Sequence, residues 1–422
     1  MTRASGVNRS TSKAEAVEVT KQEQGSWLIW LASPPIIIFI LSLLYFILLG
    51  NSTSMPDPPP DTSFLILPWA AIAYLQSKNR QYQEWTYRQA LLNTIIKVGL
   101  HKYISLKRTP SISLKPGFER KRFVLIAPAE PELYSGIALD EKTKPEPVGG
   151  TWFPKRPSLD STLPKDQHVV LHLHGGSYIS GNGRTATCGF IAKNFLSYTP
   201  TQYVLCLQYR LTGSLNGRFP AQLQDAISAY TYLIRTLHIP ASQIILSGDS
   251  AGANLALGLL RYIKQFNNIL LLPAPKCTWL FSPWTNIPGA MDEEAWNNSP
   301  NYKTDCVPAS FTARGAALFL QNLEITKAVE EHVAPIKHPF ALPSPILVVT
   351  GGKEVLYQEH REFAQIFKAL PQNESLVDFF VSETTPHDVF MIGWIMGFRK
   401  EARECAEKAG EFVKRLGKSH KC

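Results

Sequence analysis

No Cys-x-x-Cys pair occurs in the 422 residues. The six cysteines, Cys188, Cys206, Cys277, Cys306, Cys405 and Cys422, stand singly, which argues against a zinc site. Cys206, inside an apolar run, reads as a small buried hydrophobe. Charge is also sparse. Asp, Glu, Lys and Arg make up 18% of the chain, below the share of about a quarter usual in soluble domains, so part of the chain is expected to avoid water. The balance is basic, at +9. No dense basic stripe with interleaved aromatics and no RNA-binding signature accompanies it, so a Lys-rich surface is the preferred reading and a nucleic-acid partner is not expected. There is no internal repeat.

One absence is local. From Trp27 to Gly50 there is no charged residue. As a helix, Trp27 to Leu49 would reach about 34 Å, which matches the hydrocarbon core of a bilayer. Pro34-Pro35 interrupts it, and membrane helices tolerate this better than soluble ones. An uncleaved transmembrane anchor is favoured over a cleaved signal peptide, whose polar lead would be shorter. Arg3, Arg9, Lys13 and Lys21 precede the run, and Asn51 to Ala70 contains no Lys or Arg. This asymmetry predicts a cytosolic N-terminus and a lumenal catalytic domain, with the endoplasmic reticulum as the expected membrane. The sequons at Asn51, Asn297 and Asn373 would then be accessible, and one or two disulfides would be allowed.

The expected organisation is a disordered polar tail (1–25), the anchor (26–50), a Pro-rich linker (51–63), cap or membrane-proximal helices (64–122) and a catalytic domain (123–422). Phe64 to Leu75 is apolar but too short to span. It is expected either to pack on the domain or to lie at the membrane surface beside the site.

From Phe123 onward, short apolar runs alternate with helical patterns. Strands are expected near Phe123, Val169, Tyr203, Ile244, Cys277, Pro345 and Leu376. Helices are expected over Pro220–Leu237, Ala251–Gln265, Gln358–Ala369 and Arg399–Leu416. Continuous apolar strands between helices mean an α/β fold with a mostly parallel central sheet and helices on both faces.

Gly248-Asp249-Ser250-Ala251-Gly252 fits G-x-S-x-G between a strand-like and a helix-like run. Such a turn lifts the serine hydroxyl to the carboxyl edge of the sheet. A serine needs a base to become nucleophilic, and on this architecture the acid and then the histidine follow in chain order. His387, after the last strand, fits that base; His332, His338 and His360 fit less well, because none follows the last strand. Glu354 is the first carboxylate after the Pro345 strand and is expected to orient His387. Glu359 and Asp378 are the alternatives. His174-Gly175-Gly176-Ser177-Tyr178 follows the Val169 strand, where an oxyanion hole belongs. Its donors are expected to be Gly175 and Gly176, with the N–H of Ala251 as a third. His172 and His174 have no carboxylate-rich companions and are not read as metal ligands.

HGGSY, Tyr209-Arg210-Leu211, Phe219-Pro220-Ala221 with Asp225, and GDSAG together resemble the hormone-sensitive-lipase branch of the α/β hydrolases, from about Phe123 to the end of the chain. With an N-terminal anchor added, the chain is most similar to fungal membrane-anchored steryl acetyl hydrolases. The resemblance implies acyl-ester hydrolysis under a cap of N-terminal helices, without metal or organic cofactor. The expected substrate is a lipophilic alcohol, a sterol or secondary metabolite, carrying a small acyl group. Two departures stand out: Glu354 occupies a place usually held by Asp, and Ser177 one often held by glycine. An amidase or acyltransferase of secondary metabolism, and a non-catalytic ligand-binding relative, are the alternatives.

Overall fold

A computed structural model describes residues 63–106, 112–158, 163–214, 216–270 and 272–418. The uncharged run Trp27–Gly50 lies outside the described residues. Among the described residues no helix is long and apolar enough to cross a membrane. The described residues divide into two compact units, one ending at Leu75 and one beginning at Gln76. In the first, helix α1 (Ser63–Ala73) contains Pro68.

The second unit is built on eight strands: β1 (Phe123–Ile126), β2 (Val148–Phe153), β3 (His168–Leu173), β4 (Thr201–Gln208), β5 (Ile244–Asp249), β6 (Cys277–Phe281), β7 (Ile346–Gly351) and β8 (Val377–Ser382). They form one sheet in the order β1-β2-β4-β3-β5-β6-β7-β8. Its first two pairings, β1–β2 and β2–β4, are antiparallel and the rest parallel. Seven of these strands match the expected runs. The eighth, β2, reads VGGTWF, and its glycine pair disguises it as a loop. The glycines are needed for packing, since a Cβ on Gly149 would come within 2.6 Å of the Phe123 ring.

Helices α2 (Tyr87–Ser105), α3 (Thr185–Tyr198), α4 (Ala221–Thr231) and α5 (Ala251–Leu270) are followed by α6 (Glu293–Asn297), α7 (Ala309–Phe319) and α8 (Lys327–Val333). The last three are α9 (Tyr357–Ala369), α10 (Val389–Met396) and α11 (Arg399–Lys418). The expected helix Pro220–Leu237 begins as α4 and ends in a single π turn, Tyr232–Thr236. Helices α3, α10 and α11 pack on one another and cover one face of the sheet. There Phe281 stacks on Phe390 at 4.1 Å, and Phe195 lies 5.0 Å from Trp279. The alternate residues of the same strands, among them Leu171, Leu205 and Leu246, are fully buried on the other face, where α4 and α5 pack together.

Two features tied to a lumenal domain can be located in the structure. Cys188, Cys206, Cys277, Cys306 and Cys405 are all buried and free, Cys188 and Cys206 meeting as neighbouring thiols; no disulfide forms among the described residues. Asn373 is fully buried. Its amide donates to the carbonyl of Phe340 and accepts from the N–H of Leu342, so that sequon is not accessible. Asn297, at the end of α6, is exposed.

Candidate active site

The site grows from the carboxyl edge of the sheet. β5 ends at Asp249, α5 begins at Ala251, and Ser250 between them has φ +50°. A non-glycine residue there is strained. The turn is held by the Ser250 N–H on the Phe281 carbonyl and by the Trp284 N–H on the Ser250 carbonyl. It tolerates no side chain at Gly252, whose added Cβ would lie 1.9 Å from the Leu173 carbonyl oxygen. That contact explains the second glycine of the motif.

His387 follows β8 and precedes α10. Its Nε2 lies 2.9 Å from Ser250 Oγ and its Nδ1 2.6 Å from Glu354 Oε2. A carboxylate only accepts, so Nδ1 carries the proton and Nε2 is left to take the serine's. The structure thus brings together Ser250, His387 and Glu354 from three separate turns. Glu354 is wholly buried. Its Oε1 accepts from Gly351 N–H at 2.6 Å, Thr350 Oγ1 at 2.7 Å and Ser282 Oγ at 3.0 Å. Burial pushes its carboxyl up, but the charges and hydrogen bonds of His360 and His387 outweigh this and hold it far below the usual carboxylate range. Burial pushes His387 down, and the bond and charge of Glu354 more than offset that, leaving the imidazole above its ordinary value.

The alternative acids lie elsewhere. Asp378 pairs with Arg415 at the surface. Glu359 accepts from the hydroxyl and N–H of Thr285. Neither bonds to His387.

Of the N–H groups expected as oxyanion donors, that of Gly175 is already engaged. The Gly175 N–H donates to Asp249 Oδ2 at 2.8 Å and so is committed to tying the turn to the elbow. Asp249 also lies 3.0 Å from His172 Nε2. Gly176 has φ +105° and Ser177 φ +50°, and the N–H groups of Gly176, Ser177 and Ala251 have no hydrogen-bond partner among the described residues. The unpartnered N–H groups of this turn therefore start at Gly176 and include Ser177. The sequence shows Ser177 only as the residue after the glycine pair. Which N–H the Asp249 side chain captures depends on the fold.

Helices α2 and α7 fix this turn from above. Gly315 of α7 sits on it, and an added Cβ would lie 2.4 Å from the Ser177 carbonyl oxygen. Tyr178 stacks on Phe319 at 4.1 Å, and Tyr103 of α2 donates to the Ile179 carbonyl at 3.0 Å. From below, His174 stacks on Tyr209 at 4.2 Å. The neighbouring Arg210 holds Asp225 through its side chain, at 2.7 Å, and through its own N–H, at 2.8 Å. The Tyr-Arg-Leu segment and Asp225 thus brace the site without touching Ser250.

The family model described as the alpha/beta hydrolase fold matches residues 170–391. The chain belongs to the α/β-hydrolase fold family. This hydrolase is 28% identical over 261 residues to an acetyl-hydrolase of Streptomyces hygroscopicus, covering 59% of its own length and 76% of the relative's. It is 26% identical over 234 residues to mug81 of Schizosaccharomyces pombe, a protein to which steryl acetyl hydrolysis is ascribed, covering 51% of this chain and 58% of that one. Among solved structures, an esterase of the bacterial hormone-sensitive lipase family superposes with a TM-score of 0.53 at 19% identity, over 85% of this chain and 99% of that one. The hydrolase acts on carboxylic esters.

Proposed function

We propose that this hydrolase uses Ser250, His387 and Glu354 as a catalytic triad to remove a small acyl group, such as acetyl, from a lipophilic alcohol of the sterol or secondary-metabolite kind. The observation that carries the reading is the unbroken chain from Ser250 Oγ through His387 to Glu354, with unpartnered N–H groups at Gly176, Ser177 and Ala251 beside it. Ser250 Oγ attacks the ester carbonyl while His387 Nε2 takes its proton. The oxyanion is held by those N–H groups, and His387 then protonates the departing alcohol. Water, deprotonated by His387, attacks the acyl-serine. The acid leaves and Ser250 recovers its proton. Glu354 stays ionised, fixes the tautomer and stabilises the imidazolium. No step needs a metal or organic cofactor.

The small acyl group and lipophilic alcohol are favoured by the names of the two relatives and by the apolar segment Phe64–Leu75. A single anchor at Trp27–Gly50 and a lumenal catalytic domain remain part of this proposal. They rest on the uncharged run and the charges before it, with Asn51 and Asn297 as the sequons left to carry glycans.

Three measurements test the reading. A fluorophosphonate probe is expected to label the wild-type chain at Ser250, and absence of Ser250-dependent labelling removes the triad. Profiling esters, amides and acyl acceptors is expected to rank acetates of lipophilic alcohols first; a preference for amides or acyl transfer would replace the proposed reaction. Deleting Phe64–Leu75 should lower turnover of lipophilic esters more than that of short soluble ones, and equal loss on both would separate that segment from substrate delivery.

The raised His387 sets a pH profile. The base must be neutral to accept the serine's proton, so activity is lost as pH falls through its folded value. Because that value lies above the ordinary one, the acid limb of kcat/KM should have its midpoint above about 6.5. A profile on a non-ionising ester checks this, and a midpoint clearly lower would contradict the Glu354 contact.

A further inference from the structure

A second histidine stands behind Glu354. His360, on α9, is fully buried. Its Nε2 lies 2.7 Å from the Pro283 carbonyl oxygen, and its Nδ1 lies 2.8 Å from Thr350 Oγ1 and 3.4 Å from Glu354 Oε1. The protons can be counted. A carbonyl only accepts, so Nε2 carries a proton. Thr350 has one hydroxyl proton, and its 2.7 Å contact with the Glu354 carboxylate uses it. Towards His360 the same oxygen then offers a lone pair, and so does Glu354 Oε1. Nδ1 therefore carries a proton too. An imidazole with two N–H donors is an imidazolium.

We infer that His360 is a buried imidazolium that serves as counter-ion and positioning residue for Glu354, so that one carboxylate is shared between two histidines. The inference rests on the triad reading above. It explains how a fully buried glutamate stays ionised while His387 is neutral, since a buried charge needs a partner. The surrounding acids fit. Burial pushes Asp305, beside His387, upward, and does the same to Glu359 on α9 and to Asp388. Against the same burial, Glu354 and Asp249 are held down, the first by His360 and His387 and the second by His172. The two acids held down, Glu354 and Asp249, are the two with a carboxylate oxygen within ion-pair distance of a buried histidine nitrogen.

The arrangement has a consequence for the base. A Glu354 already neutralised from behind attracts the proton on His387 less than a free carboxylate would. His360→Gln keeps a donor for Pro283 and removes the charge. It should move the acid limb of kcat/KM upward by about 0.5–1 pH unit, with kcat reduced and KM little changed. A histidine that only fills space would lower kcat without moving the limb, and an unmoved limb overturns the inference. A second measurement needs no variant. In the full wild-type chain labelled with 15N-histidine, nitrogen–proton correlation at neutral pH should show one ring, silent to solvent, with both nitrogens protonated. Finding His360 as a neutral tautomer overturns the inference even if the variant fails to fold. Fluorophosphonate labelling separates the two levels: no labelling of Ser250 removes the triad itself, whereas normal labelling with an unmoved limb removes only the role of His360.

Discussion

Ser250→Ala is expected to lower kcat by about 10⁶-fold, the scale on which loss of the nucleophile acts in serine hydrolases of unrelated fold. Alanine has the same Cβ as serine, so the φ of +50° and the elbow's backbone bonds cost the variant nothing new. The melting temperature should stay within a degree or two of wild type. A small residual rate should persist, because the N–H groups of Gly176, Ser177 and Ala251 still stabilise an oxyanion when water attacks directly, and such groups alone give about 10³–10⁴-fold over water. Steady-state hydrolysis of an activated acetate ester, together with the loss of fluorophosphonate labelling, measures both effects. A variant retaining a tenth of wild-type activity would place the nucleophile elsewhere.

Glu354→Gln should reduce kcat by about 10⁴-fold, as replacing the orienting carboxylate with its amide does in a serine protease. Glutamine is nearly isosteric and can still accept from Gly351 N–H and the two hydroxyls. It has no charge to hold His387 or to stabilise the imidazolium, and its NH2 favours the wrong tautomer. Asp378→Asn provides the contrast. Asp378 pairs with Arg415 at the surface, and exposed pairs contribute about 0–1 kcal/mol; its loss should leave kcat within a few fold. Comparable losses in the two variants would sink the assignment of the acid.

Much of this site is legible in the sequence, because its logic is topological. The nucleophile, acid and histidine each follow a strand, and apolar runs mark strands plainly. The order of Ser250, Glu354 and His387 along the chain therefore carries over into space. The features that escape are lateral. β2 hides because Gly149 and Gly150 serve close approaches, to Phe123 and to Leu205, rather than a pattern. Gly175 looks like a donor until Asp249 reaches across and takes its N–H. Asn373 fits a sequon of three residues, but burial follows from its bonds to Phe340 and Leu342, some thirty positions away. His360 is one turn into a helix, and its importance comes from Pro283 and Thr350, which only folding brings beside it.

The seat of Gly315 on Ser177 has a consequence for anyone seeking to change what this hydrolase accepts. In many enzymes the covering helices can be exchanged like a lid on a jar, altering what enters while the chemistry below is untouched. Here α7 rests directly on the backbone proposed to carry the oxyanion donors, with no space for even a methyl group between Gly315 and Ser177. Libraries that vary α7 to change selectivity will therefore mix two outcomes, altered acceptance and a displaced turn at Ser177. Holding Gly315 and Phe319 fixed while varying the exposed side of α7 is the way to keep them apart.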